Sequence, residues 1–159
     1  MRILGIDPGN YITGYGIVEK QGSHLHQIIY GEVKMARGSS RSSSLIAIYS
    51  QLLDIIEKNS PDVCAIEDIF YGKNIKSLIR QGEVRGVVIL AASQCRLPIF
   101  EYSPLEIKKA VVGYGRAEKN QVQMMINAIL KLPCLPSADA ADALAIAICH
   151  ANYNMKTSI

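Results

Sequence analysis

A chain of 159 residues with 49% hydrophobic content is the size of one domain that buries its own core without cross-links or metal staples. Its formal charge of +3 does not by itself select a partner, and no apolar run nears the roughly 18 residues that a membrane span requires. The opening, MRILGIDPG, has neither the h-region nor the cleavage site of a secretory signal, so a soluble, cytoplasmic chain with no membrane attachment is expected.

RILGIDP alternates and is rich in β-formers. YITGYGIVEK follows a Pro-Gly turn and HLHQIIYGEVKM follows a break at QGS, so three closely connected strands predict an antiparallel meander. RGSSRSSS reads as a short low-complexity loop, and LIAIYSQLLDIIEKN as an amphipathic helix, with Leu45, Ile48, Leu52, Ile55 and Ile56 at helical spacing. SPDVCAIEDIF predicts a buried strand ending in acids, NIKSLIRQGEVRGVVILAASQC a long helix, and LPIFEY a short strand. In SPLEIKKAVVG, Ser103 is the N-cap, Pro104 the first helical residue, Glu106 completes a capping box and Gly113 stops the helix. AEKNQVQMMINAILKL gives a further helix, ended by Pro133 and Pro136, and Ser137 then caps a last helix. The order is three meandering strands, then βαβα, then helices. This predicts an α/β fold with a mixed five-stranded sheet flanked by helices, one domain over residues 1–152, and a frayed tail over 153–159.

Cys64, Cys95, Cys134 and Cys149 stand apart, with no C-x-x-C pair, and read as reduced structural thiols. His24 and His26 share one side of a strand but lack a further ligand nearby, and no role is given to them.

The carboxylates are more informative. Asp7 ends the first strand at Pro8-Gly9, where it either starts a turn or faces a ligand at the sheet edge. Glu67 ends the fourth strand beside buried Ala65 and Ile66, with Asp68 pointing to the opposite face. In SADAADALAIA, Asp139 and Asp142 lie one turn apart on one helix face. A first-turn acid such as Asp139 also suits the helix dipole. Asp142, among alanine, leucine and isoleucine, has no such explanation: an unpaired buried carboxylate costs several kcal/mol, so a positive charge should sit beside it. Acids without cysteine or a histidine set indicate a hard cation, Mg²⁺ or Mn²⁺, and four of them can hold two ions roughly 4 Å apart for in-line phosphodiester hydrolysis. With four acids gathered in one pocket, the remaining surface is roughly +7, which favours a polyanion.

GIDPGNYITGYGIVE, AIEDIF, GRAEKNQVQ and ADAADALAIAICH resemble, in order and spacing, the RuvC family of Holliday-junction resolvases, over nearly the whole chain. The resemblance implies a ribonuclease-H-like fold and a homodimeric, Mg²⁺-dependent endonuclease that resolves four-way DNA junctions in recombination and repair by paired symmetric incisions leaving ligatable ends. It implies that Asp7, Glu67, Asp139 and Asp142 are the catalytic metal ligands, two ions per site, with Asp7 bridging both and Asp139 the least demanding. It places Lys108 and Lys119 near the scissile phosphate, with Lys109 and Arg116 as adjacent DNA-binding candidates, and makes Phe70, with neighbouring Tyr71, a platform for stacking on DNA bases. A branch-migration helicase complex is a possible partner. The segment LIRQGEVRGVVIL is the candidate dimer helix, because Gly82 and Gly86 permit close approach, although packing on the sheet would explain them equally. Asn10 departs from the serine or threonine common in the family at that position.

Two other functions fit parts of the sequence. DPGNYITGYG also resembles the phosphate turn of sugar kinases and actin-like ATPases, which normally pair two such domains and do not require ADAAD. A protein that binds junctions without cutting them would be expected to lack one or more of the acids, and none is missing.

Overall fold

The computed structural model describes residues 1–35, 38–68 and 74–153. The five predicted strands form: β1 (Arg2–Pro8), β2 (Ile12–Gln21), β3 (His24–Lys34), β4 (Val63–Glu67) and β5 (Ile99–Tyr102). They build a single sheet in the order β3-β2-β1-β4-β5. β1 and β3 are each antiparallel to β2, whereas β4 is parallel to both β1 and β5. The meander and the parallel units of the sequence reading are therefore one mixed sheet.

Among the described residues five helices cover it: α1 (Arg41–Asn59), α2 (Ile75–Gln94), α3 (Pro104–Val112), α4 (Lys119–Leu130) and α5 (Ala138–Asn152). The serine-rich segment read as a loop is corrected here: Ser40 is the N-cap of α1, its hydroxyl accepting from the Ser43 amide, and Arg41–Ser44 form the first turn. Serine satisfies the free amides of a helix start while lacking the apolar spacing that marks a helix in sequence. At α3 the capping box of Ser103 and Glu106 forms as expected. At α5 it differs. Ser137 occupies the N-cap position without a side-chain cap bond, and its hydroxyl serves the Glu32 carboxylate of β3 instead, which with Lys34 holds that carboxyl below its ordinary range.

The sheet divides the interior in two. On one side Ile3, Val18, Ala65 and Tyr102 pack against α3, α4 and α5; on the other Leu4, Ile6, Ile17, Cys64, Ile66 and Ile99 pack against α1 and α2. Period-two alternation then fixes the acids. Ile3 and Gly5 face α5 on β1, so Asp7 does too; Ala65 faces α5 on β4, so Glu67 does too. Ile6 and Ile66 are paired across β1 and β4, and the two acids follow one residue later on neighbouring strands.

Helix α5 lies directly against the sheet. A Cβ on Gly5 would stand 2.1 Å from the Ala143 carbonyl oxygen, and one on Gly14 would stand 2.0 Å from that of Asp139. Glycine on the strands, with alanine on the helix, lets the two backbones approach with no side chain between them. The far end of α5 is tied as well: His150 Nδ1 and the Tyr102 hydroxyl share a 2.8 Å hydrogen bond within the core. Burial holds the imidazole below its ordinary pKa and pushes the phenol up to about 12. A neutral imidazole and a neutral phenol keep that bond free of charge. The last described residue, Tyr153, packs its ring on Tyr102; the rest of the predicted tail, 154–159, is outside the described residues.

Candidate active site

At the edge where β1 and β4 end, the structure brings Asp7, Glu67, Asp139 and Asp142 within reach of one another's charge. Each acid comes from a rigid element: two from adjacent strand ends, two from half-buried positions in the first turns of a helix that is buried from Ala143 to Ala151. The Asp7 carboxyl is pushed up to about 7, first by burial, then by repulsion from Glu67, Asp142 and Asp139. Glu67 is raised for the same reasons, burial first and Asp142 second, with Lys119 and Lys108 opposing.

The cation expected beside Asp142 is Lys119, at the start of α4: its Nζ donates to Asp142 Oδ2 at 2.6 Å. That bond holds the ammonium above its usual pKa against the opposing effect of burial. Glu67, Lys108, Lys119 and Asp142 line a cavity of about 190 Å³ whose floor is apolar, with Ile107, Val122 and Ile146. Lys109 and Arg116 are exposed and do not line it. Phe70 and Tyr71 are outside the described residues.

The donors suit a hard divalent cation. All are carboxylate oxygens, burial and then their mutual repulsion lift Asp7 far from its ordinary value, and an ammonium already seats itself on one of them. Among the described residues no three of these groups stand close enough together to close on one ion. Among those residues, too, no helix is long and apolar enough to cross a membrane.

Three features were not anticipated from the sequence. Gly5 and Gly14 set the distance from α5 to β1. Glu32, opposite Gly14 on β3, holds the N-terminus of α5 through Ser137. Asn10, the departure from the family pattern, donates from Nδ2 to the Ser77 hydroxyl at 2.6 Å, joining the β1–β2 turn to α2. The glycines had a signal in their two-residue spacing, Gly14 and Gly16 lying on one face of β2; the other two depend on contacts between distant segments.

Comparison with known proteins follows this geometry. Residues 3–150 match the family model described as crossover junction endodeoxyribonuclease RuvC. Proteins of that name from Pelotomaculum thermopropionicum and Caldanaerobacter subterraneus subsp. tengcongensis are 47% and 48% identical, covering 96% and 97% of this chain and 94% of each relative. Among solved structures, Thermus thermophilus RuvC superposes with a TM-score of 0.87 at 31% identity, covering 96% of this chain and 95% of that one. The same protein in complex with a Holliday junction substrate gives 0.88 at 28%, covering 96% and 94%. The yeast mitochondrial resolvase Ydc2, 18% identical with a TM-score of 0.64, shares the fold. The ribonuclease-H-like architecture expected from the sequence is thus the observed one, the nucleotide-binding ATPase alternative falls away, and membership carries a requirement for a divalent cation. The chain belongs to the RuvC family of crossover junction endodeoxyribonucleases.

Proposed function

We propose that this protein resolves four-way DNA junctions by paired incisions, with residues 1–152 as one nuclease domain and Asp7, Glu67, Asp139 and Asp142 as the holders of two Mg²⁺ ions, for which Mn²⁺ can substitute. The observation that carries the proposal is the convergence of these four carboxylates from β1, β4 and α5 at one sheet edge, where the charges of the other three add to burial in raising Asp7. When bound, the ions supply polarisation of the scissile phosphodiester and of the attacking water. The chain's own contribution is placement and charge. Two strand ends and one helix fix the carboxylates without a flexible loop between them. Lys119 and Lys108, on the α3/α4 side of the cavity, supply positive charge to the phosphate's outer oxygens. Lys109 and Arg116 extend that charge over the exposed surface, and Phe70 with Tyr71 is assigned to stacking on unpaired bases near the crossover.

The test is a labelled four-way junction incubated in Mg²⁺, in Mn²⁺ and in chelator. Symmetric nicks are expected with either metal and none in chelator. Binding under all three conditions without nicking would leave a junction-binding protein and no nuclease. The DNA substrate is also the basis for assigning the enzyme to the cytoplasm and for a branch-migration helicase as its supplier of junctions.

Two cuts need two sites, and α2 offers the face that would pair them. Ile75, Ile79 and Leu90 are 72%, 59% and 57% exposed, on the side opposite buried Val84 and Val88. Gly82 and Gly86 lie on the same stripe, and a Cβ on either would meet open space, so packing on the sheet does not account for them. A two-fold axis along this stripe would bury the isoleucines and let two α2 backbones approach. Ile79→Glu with Gly86→Arg is expected to yield a monomer by sedimentation equilibrium. Cleavage by that variant should become unpaired, nicking one strand per encounter. A stable dimer in the double variant would place the interface elsewhere.

A further inference from the structure

The carboxylates occupy the middle of the sheet edge, and a phosphodiester strand drawn across them meets repulsion unless cations stand on both sides. Lys108 and Lys119 serve the β4/β5 side. The β2/β3 side holds a cleft of about 660 Å³ lined by Asn10, Tyr11, Lys34, Ser39, Arg41 and Arg80 among others. Lys34 ends β3, two strands from β1 and so roughly 10 Å from it at ordinary strand spacing, while Arg41 and Arg80 come from α1 and α2, on the sheet face opposite to the one Asp7 faces, so the cleft lies past the strand ends.

Its parts are ordered. Arg80 Nη1 donates to the Tyr11 hydroxyl at 3.2 Å, and Tyr11 is two-thirds exposed, so the guanidinium is held at the mouth, with no other side-chain bond of its own among the described residues. Arg80 has no carboxylate partner among the described residues, and neither has Lys76, which lines the adjoining shallow cavity with Asn10, Asn74 and Ser77. Lys34 meets Glu32 at 2.9 Å but is mostly exposed, a surface pair of little strength. Arg41 is committed: it pairs with Glu83 and its guanidinium reaches the Asn10 and Arg80 carbonyls, which braces the cleft wall.

We propose that this cleft is a second DNA-backbone grip, in which Arg80, with Lys34 and Lys76, holds phosphates of the strand on the side of Asp7 remote from Lys119. The inference rests on the nuclease reading above and adds to it a position that fixes the register of the strand over the acids. A fork of guanidinium donors suits paired phosphate oxygens, and contacts of this kind position without reading sequence.

The experiment is a salt titration of binding, in chelator, of wild type, Arg80→Gln, Arg80→Lys, and the Lys34→Gln/Arg80→Gln double variant. The probes are one labelled four-way junction and one linear duplex of unrelated sequence. Removing one cation from a phosphate should lower the magnitude of the slope of log affinity against log salt by about 0.9, so roughly 1 for Arg80→Gln and 2 for the double variant, on both DNAs. Arg80→Lys should restore most of the slope. A second exposed variant, Lys76→Gln, reports on the same grip without touching the Tyr11 bond, and is expected to lower the slope by up to about 1. Wild-type slopes in all variants, with wild type binding and cutting the junction, would remove the grip and leave the nuclease reading standing. Failure of wild type to bind either DNA would remove both.

Discussion

Asp7→Asn is expected to end junction cleavage while leaving junction binding in place, and to make the metal-free protein more stable at pH 8 than the wild type. The first effect follows from position: Asp7 sits between Glu67 on the neighbouring strand and the two acids of α5. Disturbing only the supporting contacts of a metal ligand already costs 10–100-fold, so loss of the ligand itself should exceed about 100-fold in rate. Binding survives because it rests on cations the substitution does not touch. The second effect follows from linkage. The Asp7 carboxyl moves from 3.8 to about 7 on folding. As pH rises from about 4, the unfolded chain releases this proton while the folded chain retains it, so the stability tied to the protonated group is full below 3.8 and lost as pH rises through about 7. At about 1.4 kcal/mol per pH unit the displacement corresponds to roughly 4 kcal/mol; the site opens to water on one side, which brings the expected gain for Asn down to about 1–3 kcal/mol. Melting in chelator should therefore show the variant ahead at pH 8, with the gap narrowing towards pH 5. Divalent cation should raise the wild-type melting temperature more at pH 8 than at pH 5, and should raise that of Asp7→Asn far less. Equal melting of the two proteins at pH 8 would mean that the four charges do not strain the fold.

Gly14→Ala is the second large effect. Its Cβ would lie 2.0 Å from the Asp139 carbonyl oxygen and 2.5 Å from its carbonyl carbon. Backbone cannot swing aside as a side chain can, so α5 must move away from the sheet by about an ångström, and Asp139 and Asp142 move with it. Overpacking of this kind costs about 1–3 kcal/mol in stability, and a 1 Å misplacement of reacting groups costs on the order of 100-fold in rate. Gly16→Ala is the control: there the new methyl meets first the Leu144 side chain, at 2.7 Å, and backbone only at the Leu144 nitrogen, 3.3 Å away, so most of the clash falls on atoms that can shift. Both variants should fold, with Gly14→Ala losing far more cleavage than its loss in melting temperature would explain. Equal activities would show that the helix-to-sheet distance is not what aligns the acids.

Much of this was legible in the sequence because it is local. Strand alternation, the Ser103-Pro104-Glu106 helix start and the apolar spacing of α1 are written within a few residues of one another, and they form as read. The fourth strand ends at Glu67 as read, where its pairing with β5 stops at Glu67–Tyr102. Asp142 was legible as an anomaly, a carboxylate in an apolar helix, and the partner it demanded lies 23 residues earlier. What could not be read was whatever depends on register between distant segments. Ser137 looked like a cap and instead reaches Glu32. Asn10 looked like a lost hydroxyl and instead bridges to Ser77. In both cases a short polar side chain had more than one partner within reach, and only the folded chain selects among them.

The division of the interior by the sheet has a consequence for how this protein tolerates change. Leu144, Ile146 and Ile126 belong to the cluster beneath the carboxylates, and Ile48, Leu52, Val84 and Val88 to the cluster beneath α2, with the strands between them as a common wall. Substitutions in separate clusters share no side-chain neighbours, so their costs should add to within about 0.5 kcal/mol. The layer under the outward face of α2 can drift in sequence without retuning the acids, and the layer under the acids can drift without altering what α2 presents. The molecule is mechanically one body and, for the purposes of mutation, two nearly independent ones.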